Sequence, residues 1–182
     1  MPSSTFFNLP HEKKERVEHA LLDEFSRAPL SQAQVSNIVQ SAHIARGAFY
    51  RYFDDLTDAY RYMLAQALRA LHHGLPHSSE QAANRPDNLE QLATTAYRQA
   101  RLFVEQTYQS QYYQLMYWYY HENNMSFAPS SFQPKESAEV WAVATLSHVA
   151  IRECLLDRAN VPTYLTRLRE ALEKLAGTQL EA

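Results

Sequence analysis

The sequence predicts an all-α fold. Only three glycines occur among its 182 residues, whereas Ala, Leu, Gln and Glu are plentiful. These residues form helices readily, while glycine costs about 1 kcal/mol relative to alanine in a helix interior. Apolar residues make up 46% of the chain, and they recur every three or four positions, which is the spacing of a helix with one buried face.

Start and stop signals predict four helices in the first part of the chain. Asn8 and Pro10 suit the start of the first helix, and Pro29 ends it. The pattern S-x-x-Q from Ser31 is that of a capping box and predicts the start of the second. Acidic residues after Phe53 favour the start of the fourth, because carboxylates stabilise a helix N-terminus. The predicted ranges are approximately 10–28, 31–42, 45–52 and 56–71.

Four further helices are predicted at approximately 88–109, 112–121, 135–159 and 162–177, with loops at 74–87 and 123–134. The helix over 135–159 is apolar around much of its circumference, which indicates burial on more than one side. The last helix carries leucines on one face and ends at Gly177. We place the domain boundary after residue 54, giving domains 1–54 and 55–182.

Charge and composition exclude several classes of protein. The net charge of −3 gives no overall support for nucleic-acid binding. The single cysteine, Cys154, excludes an internal disulfide. The first residues lack the apolar core of a secretion signal, and the longest aromatic run is too short to span a bilayer. We therefore expect a cytoplasmic protein without a membrane partner.

The local charge differs from the overall charge. No carboxylate occurs between Glu24 and Asp54, whereas Arg27, Arg46 and Arg51 lie in this interval. The same interval contains two short predicted helices joined by a tight turn. A longer helix precedes them, which predicts a helix-turn-helix within a three-helix domain.

The second of these short helices has residue types that suit DNA reading. Arg46 can reach a guanine edge or a phosphate. Tyr50 and Arg51 can donate to phosphate oxygens, and Gly47 and Ala48 lack the bulk that would keep the helix from a groove wall. The alternative is a solvated helix face, and spacing alone does not separate the two.

Residues from about Lys14 to Tyr60 resemble the DNA-binding domain of TetR/AcrR-type transcriptional repressors. The resemblance is carried by ALLDEF, IVQSAHIARGAFYRYF and LTDAY. It implies that Phe49 and Phe53 face the core and that Tyr50 contacts a phosphate. The predicted DNA-binding residues are Ala45, Arg46, Gly47, Ala48, Tyr50 and Arg51.

Three positions depart from the family pattern. His43 stands where the turn glycine is usual, and histidine tolerates a positive φ better than β-branched residues do. Ala45 replaces a Ser/Thr cap, a loss that typically costs about 1 kcal/mol. Leu56 replaces a lysine, which removes a phosphate contact.

The resemblance also implies a C-terminal domain that dimerises and binds a small molecule. The segment YYQLMYWYYHENN is rich in tyrosine, which combines an apolar ring with a hydroxyl that needs a partner. The candidate ligand-binding residues are Tyr97, Phe103, Tyr113, Met116, Tyr117, Tyr120 and Trp141. The alternative is an ordinary core with some exposed aromatic residues.

The last two predicted helices carry the largest apolar faces, and in the resembling fold such helices pair between subunits. The candidate dimer-interface residues are Trp141, Thr145, His148, Ile151, Leu155, Leu165, Leu168 and Leu172. The alternative is that these residues form a core within the chain, and some of them are expected to do so.

No signal for a metal, a cofactor or catalysis is found. His72, His73 and His77 lie near a predicted helix break, and no cysteine or acid completes a ligand set. No P-loop, dinucleotide fingerprint or nucleophile–base pair occurs. The helix-turn-helix pattern and the resemblance to TetR/AcrR-type repressors predict a transcriptional regulator and not an enzyme. It would be a homodimeric repressor whose binding to a near-palindromic double-stranded DNA operator is modulated by a small-molecule effector. The alternative is a helical ligand-binding or interaction protein with weakened DNA binding.

Overall fold

The computed structural model describes residues 1–73, 88–122 and 137–180. These residues form nine α-helices, two short 3-10 turns and no strand, which confirms the predicted all-α fold. The helices are α1 Ser4–Phe7, α2 His11–Arg27, α3 Val35–Ser41, α4 Arg46–Tyr52, α5 Leu56–His72, α6 Leu89–Gln109, α7 Tyr113–His121, α8 Ala138–Leu156 and α9 Val161–Ala176. Both predicted long loops lie outside the described residues. No described helix is long and apolar enough to cross a membrane.

The chain divides into two compact units. The first unit comprises Met1–Ala70 and Gln111–Asn124, and the second comprises Leu71–Ser110 and Met125–Ala182. This division differs from the predicted boundary after residue 54, because most of α5 and all of α7 belong to the first unit. The indole N–H of Trp118 on α7 donates to the carbonyl oxygen of Ser26 at 3.1 Å, a contact that no local pattern indicates.

Aromatic side chains fill the core of the first unit. Phe25, Phe49, Phe53 and Tyr60 are at most 1% exposed. Phe25 meets Tyr60 edge to face at 5.2 Å between ring centroids, and Phe49 lies 5.5 Å from Phe53. Aromatic pairs of this kind add about 0.5–1.5 kcal/mol beyond the area they bury. The predicted inward orientation of Phe49 and Phe53 is confirmed.

The N-terminal helix α1 was not predicted, and it closes the end of α4. The Ser3 N–H donates to the Tyr52 carbonyl oxygen at 2.9 Å, and the Ser3 hydroxyl donates to the Arg51 carbonyl oxygen at 2.6 Å. These bonds satisfy carbonyl groups that a helix end leaves without intrahelical partners. Phe6 is fully buried and lies 4.8 Å from Phe53 between ring centroids.

Two predicted helix caps are wrong. Asn8 ends α1 and does not cap α2, which begins without a side-chain cap bond. Ser31 lies in a 3-10 turn, and Gln34 precedes α3 without a side-chain cap bond. The backbone N–H of Gln34 instead donates to the carboxylate of Glu24 at 2.8 Å. A distant acid therefore takes the place of the local capping box.

The second unit contains a core formed by α6, α8 and α9. Its buried members are small or aliphatic: Ala93, Ala100, Val143, Ala150, Leu168, Leu172 and Leu180. Gly177 ends α9 in the left-handed conformation with φ 70°, and its N–H donates to the carbonyl oxygen of Glu173 at 2.9 Å. The predicted glycine stop is thus confirmed.

Candidate nucleic-acid interface

Helices α3 and α4 form a helix-turn-helix. Each has seven residues, and a four-residue turn joins them. Val35 and Ile38 bury one face of α3, while Ala48, Phe49 and Tyr52 bury one face of α4. Because these faces are fixed in the aromatic core, the opposite face of α4 is held in place and open to solvent.

His43 has the backbone conformation that its position requires. Its φ of 52° is the only positive φ of a non-glycine residue in the described part of the chain. The Ile44 N–H donates to the Val39 carbonyl oxygen at 3.0 Å, and the His43 N–H donates to the Gln40 carbonyl oxygen at 3.2 Å. This pair of bonds is a Schellman motif, in which glycine is usual at the position of His43. The positive φ expected at His43 is therefore observed.

We expect His43→Gly to raise the free energy of unfolding by about 1 kcal/mol, because glycine adopts the left-handed region without the steric cost that a Cβ brings. Chemical denaturation measures the change. His43→Ala is the matched control, since it removes the imidazole and keeps the Cβ. Equal stability of the glycine and alanine variants would mean that backbone strain at this position is absent.

Most predicted DNA-binding residues lie on the open face of α4. Arg46, Gly47, Tyr50 and Arg51 are exposed, as is Ala45 at the helix start. Ala48 is an exception and corrects the prediction. It is only 6% exposed, so its side chain belongs to the core of the first unit and is not presented to a groove.

Arg46 and Tyr50 form one ordered pair. The Arg46 guanidinium donates to the Tyr50 hydroxyl oxygen at 3.2 Å and lies 5.7 Å from the centre of the Tyr50 ring. The Tyr50 ring in turn meets Phe49 edge to face at 5.3 Å. A buried residue therefore orients an exposed tyrosine, which orients an exposed arginine. Such order lowers the entropy lost when these side chains meet a ligand.

Nothing in the part of the chain that the structure describes requires a glycine at position 47. A Cβ built on Gly47 would meet no atom within 4 Å. Gly47 is also absent from the residues with positive φ, so its backbone suits any amino acid. Neither packing nor backbone conformation among the described residues therefore explains why position 47 is glycine.

The positive charge of this region is smaller than its arginine content suggests. Arg27 pairs with Glu24 through two hydrogen bonds, at 2.8 Å and 3.2 Å. Arg46 and Arg51 have no carboxylate partner among the residues that the structure describes. The charge that α4 can offer to a phosphate or a base therefore comes from these two guanidinium groups.

Glu24 is the residue of this region that sequence reasoning missed. It is 4% exposed, and besides Arg27 it accepts from the Gln34 N–H at 2.8 Å and from the Asn37 amide at 3.0 and 3.1 Å. Burial raises the pKa of the Glu24 carboxyl, but these hydrogen bonds outweigh burial and hold the pKa below its ordinary value. The carboxylate thus joins the end of α2 to the start of α3.

We expect Glu24→Gln to lower the free energy of unfolding at pH 7 by about 2 kcal/mol, because hydrogen bonds to a charged group are lost in a buried site. The pKa of Glu24 is lower in the folded protein than its ordinary value of 4.5. The ionised carboxylate therefore stabilises the fold fully above pH 4.5, and this stabilisation is lost as pH falls through the pKa of the folded state. Urea unfolding should therefore show that the free energy of unfolding declines less between pH 7 and pH 3 in the variant than in the wild type.

Glu12→Gln is the matched control, because Glu12 pairs with Arg16 on the exposed surface of α2. Its removal should change stability by less than about 0.5 kcal/mol. If both variants lose the same stability, the Glu24 network does not hold α2 and α3 together.

The candidate ligand residues are divided between the two units. The first unit holds Tyr113, Met116, Tyr117 and Tyr120, and the second holds Tyr97, Phe103 and Trp141. Met116 is fully buried, Phe103 is buried, and Trp141 is 58% exposed. Burial raises the pKa of Tyr120 to about 12. The sequence had suggested one cluster in the C-terminal domain, whereas these residues belong to both units.

The candidate dimer residues also separate by burial. Leu155, Leu168 and Leu172 are at most 3% exposed within the chain. These three are core residues, which corrects their assignment to an interface. The others are exposed or half-buried and remain available on the surface: Trp141, Thr145, His148, Ile151 and Leu165.

Within the described ranges, no three His, Cys, Asp or Glu side chains come close enough to hold a metal ion. His72 is the last residue of α5 and His73 follows it, and the ring of His72 lies 5.2 Å from that of Phe103. His77, the third histidine considered, lies outside the described residues.

Two solved structures are similar to this chain along most of its length. One is a TetR family transcriptional regulator from Chloroflexus aurantiacus J-10-fl, at 21% identity over 97% of each chain, with a TM-score of 0.46. The other is a TetR transcriptional regulator from Rhodococcus sp. RHA1, at 15% identity over 91% of this chain and 97% of that one, with a TM-score of 0.43.

Neither a protein-family model nor a curated protein matches the chain. At these values, the two likenesses do not establish what this chain binds.

Proposed function

We propose that the chain is a DNA-binding transcriptional regulator that inserts α4 into the major groove. The observation that carries the proposal is the open face of α4, where Arg46 is ordered by Tyr50 and no carboxylate faces it among the described residues. Arg46 at the start of the helix suits contact with a base edge, since recognition helices read bases with their N-terminal residues. Tyr50 and Arg51 suit phosphate oxygens, which fix orientation.

The regulator acts as a homodimer. A helix of seven residues reads only a few base pairs, so two copies are needed for useful specificity. The exposed face of α8 supplies a surface for pairing, since Trp141 is 58% exposed and Val149 is 53% exposed. A contiguous exposed apolar patch commonly marks an association site. Two reading helices about 34–36 Å apart would then require a near-palindromic operator.

A small-molecule effector in the second unit modulates operator binding, and the regulator is a repressor in the cytoplasm. An effector changes DNA affinity only if it binds one arrangement of the dimer more tightly than another. DNA affinity depends directly on the spacing of the two reading helices, so the effector would act by changing that spacing.

Binding selection on random duplex DNA tests this function. At low salt, where phosphate contacts are strongest, we expect enrichment of two similar half-sites separated by about one helical turn. Sedimentation of the free protein should give a dimer at micromolar concentration. A selection that enriches no sequence would contradict the regulator, and a monomeric protein would contradict the spacing mechanism.

A helical ligand-binding or interaction protein with weakened DNA binding is the second candidate. It is favoured by Ala45, which begins α4 without a side-chain cap, and by Leu56, which begins α5 where the resembling family has lysine. It predicts that the protein dimerises and binds a small molecule but enriches no duplex. The same selection therefore separates the two candidates.

A further inference from the structure

The second unit carries a groove that the proposed DNA interface does not use. It lies between the C-terminal half of α6 and the connection from α8 to α9, with a volume of about 390 Å³. Apolar side chains, two arginines and one glutamate are among the residues that line it. The residues that define it are Arg101, Val104, Tyr108, Arg158, Val161 and Leu165.

Neither Arg101 nor Arg158 has a carboxylate partner in the part of the chain that the structure describes. Arg158 lies over the ring of Tyr108, 4.9 Å from its centre. The Tyr108 hydroxyl donates to the Cys154 carbonyl oxygen, which fixes the ring. Stacking therefore positions Arg158 and leaves the N–H edges of its guanidinium for an anion.

The carboxylates near the groove have other partners. Asp157 accepts from the Asn160 amide at 2.8 Å and from the Tyr164 hydroxyl at 3.0 Å. Glu153 accepts from an arginine next to it in the chain at 2.9 Å. Glu105 also lines the groove, and its carboxylate accepts from the Gln109 amide at 3.5 Å. It is the one lining group that would repel an anion, so an anion should bind on the side of the arginines.

We propose that this groove binds a small organic monocarboxylate with an apolar tail. The carboxylate would accept from Arg158 and Arg101, because guanidinium and carboxylate match in charge and in planar geometry. The tail would cover Val104, Val161 and Leu165. The volume lies at the low end of the range for ligand pockets, which favours a tail of about eight carbons over a larger ring system. The inference deepens the proposed function, because it gives the effector a site and a chemical class.

Titration calorimetry of the full chain with four probes of eight carbon atoms each tests the assignment. The probes are octanoate, octyl phosphate, octanol and octylamine. We expect octanoate to bind most tightly and octylamine not to bind. Equal affinity for octanoate and octanol would overturn the role of the arginines. Tighter binding of octyl phosphate would overturn the assignment to a carboxylate.

Arg158→Gln and Arg101→Gln should each weaken octanoate binding by about tenfold or more, as expected for loss of a charge-assisted hydrogen bond. Arg167→Gln is the matched control: this arginine is exposed on α9 and does not line the groove. Because Arg101, Arg158 and Arg167 are all exposed, thermal unfolding should be nearly unchanged in each variant. Equal octanoate affinity in the wild type and Arg158→Gln would contradict the site.

These titrations need no DNA, and the duplex selection needs no ligand. Failure of octanoate to bind would contradict the effector site, but it would not affect the evidence from a selected operator. Failure of the selection would contradict the regulator function, but it would not affect the evidence for the anion site.

Discussion

Replacing Gly47 with leucine is expected to abolish operator binding while the protein still folds. The added side chain would not clash with the described part of the chain, since a Cβ at position 47 meets no atom within 4 Å. Leucine also favours the helix over glycine by about 0.8 kcal/mol. In a complex, however, its branched end would stand between the backbone of α4 and the groove wall. Fluorescence anisotropy with the selected duplex and thermal unfolding measure the two effects.

Gly47→Ala gives the graded comparison. It should stabilise the fold by about 0.5–1 kcal/mol and weaken binding less than leucine does, because it adds only one methyl group. Ala70→Leu is the control for an added leucine on an exposed helix position away from α4. Normal operator affinity in Gly47→Leu would mean that close approach does not explain the glycine.

Replacing Arg46 with alanine is expected to weaken binding to the selected duplex by about 1–3 kcal/mol for each half-site, if its guanidinium reads a guanine. The loss should be specific to one base position, so the variant should tolerate changes there that the wild type rejects. Tyr50→Phe should cause a smaller loss, because the ring that lies against Phe49 stays and only the hydroxyl that meets Arg46 is removed.

The salt dependence separates base reading from phosphate contact. If Arg46 contacts phosphate, Arg46→Ala should weaken binding to all sequences equally and reduce the salt slope by about one unit per contact. Arg98→Ala is the control, since this exposed arginine lies on α6 in the second unit. Unchanged affinity and salt slope in Arg46→Ala would exclude Arg46 from the interface.

The elements that sequence predicted well depend on local signals. Helices α2 to α9 follow from apolar spacing and from breaks such as Pro29 and Gly177. The strain at His43 could be anticipated because a tight turn between two short helices needs one residue in the left-handed region. The exposed face of α4 follows from the inward positions of Phe49 and Phe53.

The elements that sequence missed depend on contacts between distant residues. Helix α1 has four residues and little propensity of its own, and the burial of Phe6 with the Ser3 bonds to α4 holds it in place. Glu24 caps a helix ten residues further on, which no capping-box pattern describes. The packing of α7 on α2 moved the boundary of the first unit and separated the candidate ligand residues.

Amide hydrogen exchange with and without the selected duplex tests directly whether α4 is the reading helix. Contact with DNA excludes solvent and suppresses local opening, so exchange should slow over residues 43–52. The second-unit helix α6 should exchange at an unchanged rate, which provides an internal control. Slower exchange confined to residues 43–52 and their neighbours in the first unit is the result that the proposal predicts. Protection elsewhere, with residues 43–52 exchanging as in the free protein, would contradict it.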